Sequence, residues 1–181
     1  MKTVLAFDFG ASSGRAIKAT FSESEIKYEE IHRFDNIPKE VDGHVCHDVD
    51  MILKEVKAAI DKAGEVDSMA FDTWGVDYAL LDESGKLIHE PYHYRDERTK
   101  GALDKAFKVI SPSALYSETG TQIMNINTLF QLLCDENLRK ADKLLFMPDL
   151  FAYLLTGKKV CETTIASTSQ MLSPFTKKWS K

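Results

Sequence analysis

Asp8 and Arg15 bracket the stretch of the chain best suited to chemistry, Gly10-Ala11-Ser12-Ser13-Gly14. An apolar run from Leu5 to Phe9 carries Asp8 into this small polar turn, and a second run resumes after Arg15. Glycines let a backbone come close to a ligand. Successive N–H groups in a tight turn make a concavity for an anion. Ser12 and Ser13 add hydroxyl donors and Arg15 adds a fixed positive charge, so the fitting chemistry is phosphate binding. Asp8, at the strand end, would face Mg²⁺ through water, because Mg²⁺ keeps much of its hydration shell. The same turn also suits a hairpin that merely needs glycine.

Other chemistries fit less well. A dinucleotide fingerprint needs G-x-G-x-x-G opening a helix, but only Gly10 and Gly14 occur and a strand-like segment follows. A P-loop needs Gly-Lys-Ser/Thr, and no lysine precedes Lys18. His89-Glu90-Pro91-Tyr92-His93 spells the zinc-protease pattern, yet Pro91 breaks the helix that pattern requires. His44, Cys46 and His47 lack a second pair at zinc spacing. No G-x-S-x-G supplies a nucleophile elbow.

Certain elements must position these residues. Alternation and apolar runs predict strands over 5–9, 15–21 and 25–34, an antiparallel meander. Residues 35–47 are expected to form a loop. Asp48 or Asp50 would cap a helix reaching Ala63, with Gly64 as its stop. A short buried strand over 68–71 would deliver Asp72-Thr73-Trp74-Gly75-Val76-Asp77-Tyr78 at its C-terminal end. Residues 78–81 and 86–89 read as a hairpin around Asp82-Glu83-Ser84-Gly85. Helices are expected over 97–110, 113–118, 128–138 and 149–155, with a short strand over 143–147. This order predicts an α/β domain with a mixed sheet flanked by helices.

Composition sets bounds. The chain has 181 residues, 44% hydrophobic and 28% charged, with net charge −5. That suits one soluble globular domain and argues against nucleic-acid binding. No run is long enough for a membrane span. Three separated cysteines, Cys46, Cys134 and Cys161, read as free thiols in a reducing cytoplasm.

In order along residues 3–179, the stretches "FDFGASSGRA", "FDTWGVDYALLD", "YRDERT", "NINTLFQL", "FMPDLFAYLLTG" and "TTIASTSQMLSP" resemble the rhamnulokinase branch of the FGGY carbohydrate kinases. The resemblance implies a ribonuclease H-like domain of the actin/hexokinase ATPase type. It implies an ATP- and Mg²⁺-dependent kinase acting on the 1-hydroxyl of L-rhamnulose. By that likeness Gly10, Ala11, Ser12, Ser13, Gly14 and Arg15 lie against ATP phosphates, and Asp8 is linked to Mg²⁺. Gly75 contacts the sugar, with Trp74 and Asp77 near it.

The residue chemistry agrees. Trp74 can offer a flat face to a sugar's C–H groups, and Asp72 and Asp77 can accept from hydroxyls. Equally, Trp74 suits a core and the aspartates suit turn caps. Tyr94, Arg95 and Asp96 match a segment bordering the sugar cleft, and Asp96 also suits a helix cap.

The family's general-base aspartate and second phosphate segment are expected beyond Lys181, in the rest of the first domain and a C-terminal domain supplied in cis. The chain is thus expected to be an incomplete N-terminal domain without turnover of its own. Its expected partners are a ketose and ATP, with neither nucleic acid nor membrane. The alternatives are another FGGY ketose kinase, or a non-catalytic sugar- or nucleotide-binding module.

Overall fold

A computed structural model describes residues 1–180. Three antiparallel strands open the chain: β1 (Lys2–Phe9), β2 (Ser13–Phe21) and β3 (Ile26–Asp35). The expected loop over 35–47 instead contains a small hairpin, β4 (Lys39–Val41) and β5 (His44–Cys46). Its turn residues Asp42 and Gly43 have φ of 51° and 80°. A two-residue hairpin turn of type I′ needs positive φ at both positions, and Asp-Gly supplies it.

Helix α1 (Val49–Ala63) follows, with Asp48 accepting the Met51 N–H at 3.1 Å. Its buried stripe is Val49, Ile52, Val56, Ala59 and Ala63. Lys18 reaches across to the Ala63 carbonyl at 2.6 Å and satisfies one of the carbonyls left over at the helix end. Strand β6 (Ser68–Thr73) then runs parallel to β1, giving the sheet order β3-β2-β1-β6. This strand is not the buried one expected. β6 is the sheet edge, and its Met69 is 41% exposed.

Strand β7 (Tyr78–Leu81) is buried throughout. The expected hairpin with residues 86–89 is short: one antiparallel Leu81–Leu87 bridge, closed by the Ile88 N–H to Leu80 O at 3.0 Å and the Asp82 N–H to Lys86 O at 2.9 Å. The chain continues through α2 (Ala102–Ala106), α3 (Pro112–Thr119) and α4 (Thr128–Leu132) to β8 (Lys143–Phe146), which pairs antiparallel with β7 along its other edge. Leu145 and Phe146 of β8 are fully buried, which stabilises this longer ladder. The expected helix over 97–110 breaks at Gly101, whose φ is 76°. The one expected over 128–138 stops at Leu132, and Asp135 beyond it turns to the Tyr78 hydroxyl at 2.7 Å. Helices α5 (Met147–Thr156) and α6 (Thr163–Ala166) complete the order.

Leu5, Phe7 and Phe9 of β1 face a core shared with α1 and α5. Phe7 stacks on Phe71 at 4.7 Å, and Phe9 meets Phe151 edge-on at 5.5 Å. Side chains alternate along a strand, so Asp8 projects from the opposite face. Its register partners Arg15 on β2 and Asp72 on β6 share that face. Among the described residues no helix is long and apolar enough to cross a membrane.

Candidate functional site

The turn between β1 and β2 is fixed from outside. Gly10 N–H donates to Ser13 O at 2.8 Å. Asn36, 3% exposed at the end of β3, donates its backbone N–H to Ser12 O at 3.0 Å and its Nδ2 to Gly10 O at 2.9 Å. In a trans peptide the carbonyl and the next N–H point in opposite directions. Holding Gly10 O therefore turns the Ala11 N–H away from Asn36. Among the described residues the Ala11 and Ser12 amides donate to no partner, so the turn presents two free N–H groups. Arg15 stands beside it with its Nε 2.7 Å from Asp8 Oδ2.

Gly14 has a different reason to be glycine from the one the sequence suggests. A Cβ there would collide with the ring of Phe34, so it makes room for packing. At Gly10 an added Cβ would sit 3.3 Å from Ser13 O, a tight fit against the turn itself.

Asp72 and the loop from Trp74 to Asp77 leave the sheet at the same end. Phe9, just before the hairpin turn, pairs with Thr73. Asp72 is exposed. Asp77, by contrast, is fully buried and saturated. Its Oδ2 accepts from His47 Nε2 at 2.7 Å, Trp74 Nε1 at 3.0 Å and the Tyr94 N–H at 3.1 Å. Its Oδ1 accepts from Gln131 Nε2 at 2.8 Å. The expected sugar acceptor is thus occupied internally, and it aims Trp74 instead. His47 stacks on Trp74 at 4.4 Å and lies 4.6 Å from His93. Burial, then His47, pushes the His93 imidazole down to about 4.

Asp96 is also internal. It accepts from the Val45 N–H at 2.9 Å, the Arg98 N–H at 3.0 Å and His44 Nδ1 at 3.0 Å. Burial pushes its carboxyl up, but these donors outweigh it and the net direction is down. Arg95 is exposed, with its guanidinium 5.3 Å from the Tyr94 ring centre. His44 and His47 go to separate aspartates, and no group of three potential metal ligands occurs among the described residues.

Two cavities meet at the loop. One, of about 460 Å³, is bordered by Trp74, Gly75, Tyr94, Met124, Asn127 and Thr168. That volume is in the range of small-molecule sites. No carboxylate lines it. The other, of about 800 Å³, runs along β6 and α5 past Asp72, Asp149 and Leu155. Gly75 and Thr168 border both. Burial pushes the Asp149 carboxyl up to about 6, although the Glu162 N–H it accepts at 3.1 Å works the other way.

The structure therefore brings Trp74, Gly75 and Tyr94 to one cavity, Asp72 to its neighbour, and Asp8 and Arg15 to the hairpin. Asn36, His47, Gln131 and Thr168 were not singled out as site residues. Their hydrogen bonds to the hairpin turn and the sugar-side loop span 24 to 92 positions, which local spacing does not encode; only the quoted motifs holding Gln131 and Thr168 hint at them.

Mg²⁺ is held by one or two carboxylates together with phosphate oxygens and water. Asp8 and Asp72, adjacent on one sheet face beside two free amides, match that donor set.

The family described as FGGY family of carbohydrate kinases, N-terminal domain, matches residues 3–181. The chain is 44% identical to a rhamnulokinase of Bacteroides thetaiotaomicron over 96% of its length and 38% of the relative's. It is 42% identical to one from Oceanobacillus iheyensis, over 97% and 39%. Among solved structures, a ligand-bound xylulose kinase from Lactobacillus acidophilus superposes with a TM-score of 0.86 at 17% identity, over 100% of this chain and 39% of that one. This likeness shows the fold, a mixed sheet flanked by helices of the actin/hexokinase-like type. The chain spans about two-fifths of the length of these relatives. It belongs to the FGGY carbohydrate kinases, matching their N-terminal domain.

Proposed function

We propose that this chain is the ketose-holding and phosphate-contacting part of an ATP-dependent kinase acting on the 1-hydroxyl of L-rhamnulose. One observation carries the reading: the free amides of the hairpin turn and the Trp74–Gly75 cavity open at the same end of the sheet. Ligands of α/β sheets bind beyond the strands' carboxyl ends. The choice of ketose rests on relatives named rhamnulokinase at 42 and 44% identity.

When bound, ATP with Mg²⁺ supplies the γ-phosphoryl group and neutralises its charge. Ala11 and Ser12 amides and Arg15 bind phosphate oxygens, with the Ser12 and Ser13 hydroxyls as further donors. Asp8 and Asp72 hold the cation. Trp74, aimed by Asp77, covers an apolar face of the sugar, and Gly75 lets the sugar approach the backbone. Tyr94 and Thr168 complete the cavity's wall. A proton acceptor for the 1-hydroxyl is not among the cavity's lining residues, so the chain alone binds without turnover. ATP and three free cysteines suit a cytoplasmic setting.

Calorimetric titration with L-rhamnulose, L-fuculose and L-ribulose tests this. L-Rhamnulose should bind tightest, with no ADP released when ATP is added. Equal binding of all three would overturn the ketose assignment, and turnover by the chain would overturn the division of labour.

A further inference from the structure

Val76 is the strained point of the sugar-side loop. It is β-branched and has φ of 68°, a genuine outlier for such a residue. The Asp77 N–H donates to Gly75 O at 2.9 Å and closes a three-residue turn around it. Turns of this kind with positive φ at the centre are rare and strained. Such strain persists only where the surroundings over-determine it.

Four groups do so. Thr168 Oγ1 accepts the Val76 N–H at 3.1 Å. Thr128 Oγ1, fully buried, donates to Val76 O at 2.7 Å, and Gln131 Nε2 reaches the same oxygen at 3.4 Å. Asp77, next in the chain, is locked by its four bonds. The Thr168 hydroxyl donates its own hydrogen to Ile165 O at 2.8 Å, which leaves its lone pairs for Val76. Thr168 also packs directly on Gly75, where an added Cβ would lie 3.1 Å from three of its side-chain atoms.

We propose that Thr168 is a positioning residue: it holds the Val76 turn in its strained form and so fixes the Gly75 backbone at the wall of the 460 Å³ cavity. It does this from 92 positions downstream. The proposal rests on the reading of that cavity as the ketose site. Without the Thr168 acceptor, Val76 relaxes toward negative φ and the Gly75–Val76 peptide rotates. The groups presented to the ketose then change, while the hairpin turn is untouched.

The test compares T168V, which keeps the shape but loses the acceptor, with T168S, which keeps the acceptor. Three-bond amide couplings measured by NMR report the Val76 φ, and calorimetry reports L-rhamnulose affinity. T168V should shift the coupling and weaken L-rhamnulose about ten-fold, whereas T168S should retain both. A T168V chain with unchanged coupling and affinity would overturn the proposal. So would a shifted coupling with unchanged affinity, because the turn would then not matter to the ligand. If the parent chain binds no L-rhamnulose but T168V still shifts the coupling, the ketose reading falls and the clamp on Val76 stands. Should T168V not fold, T128V removes the shorter of the two bonds to Val76 O, leaving that from Gln131, and is judged by the same two readouts.

Discussion

Asp8 and Asp72 are register partners on the parallel strands β1 and β6, on the sheet face that α1 and α5 leave open. Neighbouring strands lie about 5 Å apart. Arg15 stands on the other side of Asp8, so three adjacent strands present a positive and then two negative groups in a row. On the proposed reading, a divalent cation held by the two carboxylates would release the Arg15 guanidinium, here paired with Asp8, for phosphate.

That arrangement separates stability from binding. The Asp8–Arg15 pair has both side chains more than 40% exposed. Exposed pairs contribute about 0–1 kcal/mol. Asp8→Asn should therefore barely move the urea midpoint, yet weaken ADP about ten-fold in the presence of Mg²⁺ and little in its absence. Calorimetry with and without Mg²⁺ checks this. An equal loss in both conditions would tie Asp8 to Arg15 alone.

Asn36→Ala removes the bond to Gly10 O while keeping the backbone bond to Ser12 O. We expect a stability loss of about 1–2 kcal/mol. Faster motion of the Ala11 and Ser12 amides and weaker tripolyphosphate binding should accompany it. Relaxation-based order parameters measure the first effect. Amides as rigid as in the parent chain would show that the turn holds itself.

Gly14 makes room for Phe34. Gly14→Ala should destabilise by about 1–3 kcal/mol, as overpacking does, and Phe34→Leu in the same chain should restore much of it. Phosphate affinity should return with stability. If the double variant is stable but still cannot bind tripolyphosphate, close backbone approach at Gly14 is the true constraint.

Two buried groups oppose each other in acid. Asp149 has its carboxyl raised from 3.8 to about 6, first by burial, so the stability it adds is full below about 4 and lost as pH rises through 6. His93 is lowered from 6.5 to about 4, again first by burial, so its contribution is full above 6.5 and lost as pH falls through 4. Each is worth on the order of 2–3 kcal/mol. These two terms should nearly cancel between pH 6.5 and 4.5. Asp149→Asn should make stability fall on acidification through this window, and His93→Gln should make it rise. Urea titrations at several pH values would expose any failure, such as both variants sloping the same way.

The meander β1–β3 and helix α1 were legible because alternation, the Asp48 cap and Gly64 are local signals. The β4–β5 hairpin carries an equally local signal in Asp42-Gly43, inside the stretch expected to be a loop. Strand exposure and partner choice were not legible. β6 looks like a buried strand, and the turn shows β7 its neighbour on one edge only; β8 on the other edge is brought in by long-range burial of Leu145 and Phe146. At the site, the residue types were readable and their duties were not. Asp77 has the chemistry of a sugar acceptor, and only the approach of His47 and Gln131 shows that both its oxygens are taken.

The measurement that bears most directly on the account is an amide-resolved NMR titration of the chain, first with L-rhamnulose and then with Mg·ADP. L-Rhamnulose should move the Gly75, Val76 and Tyr94 amides and the Trp74 indole N–H, and Mg·ADP should move Ala11 and Ser12. Movement confined to residues outside these two groups, or no movement with either ligand, would contradict it.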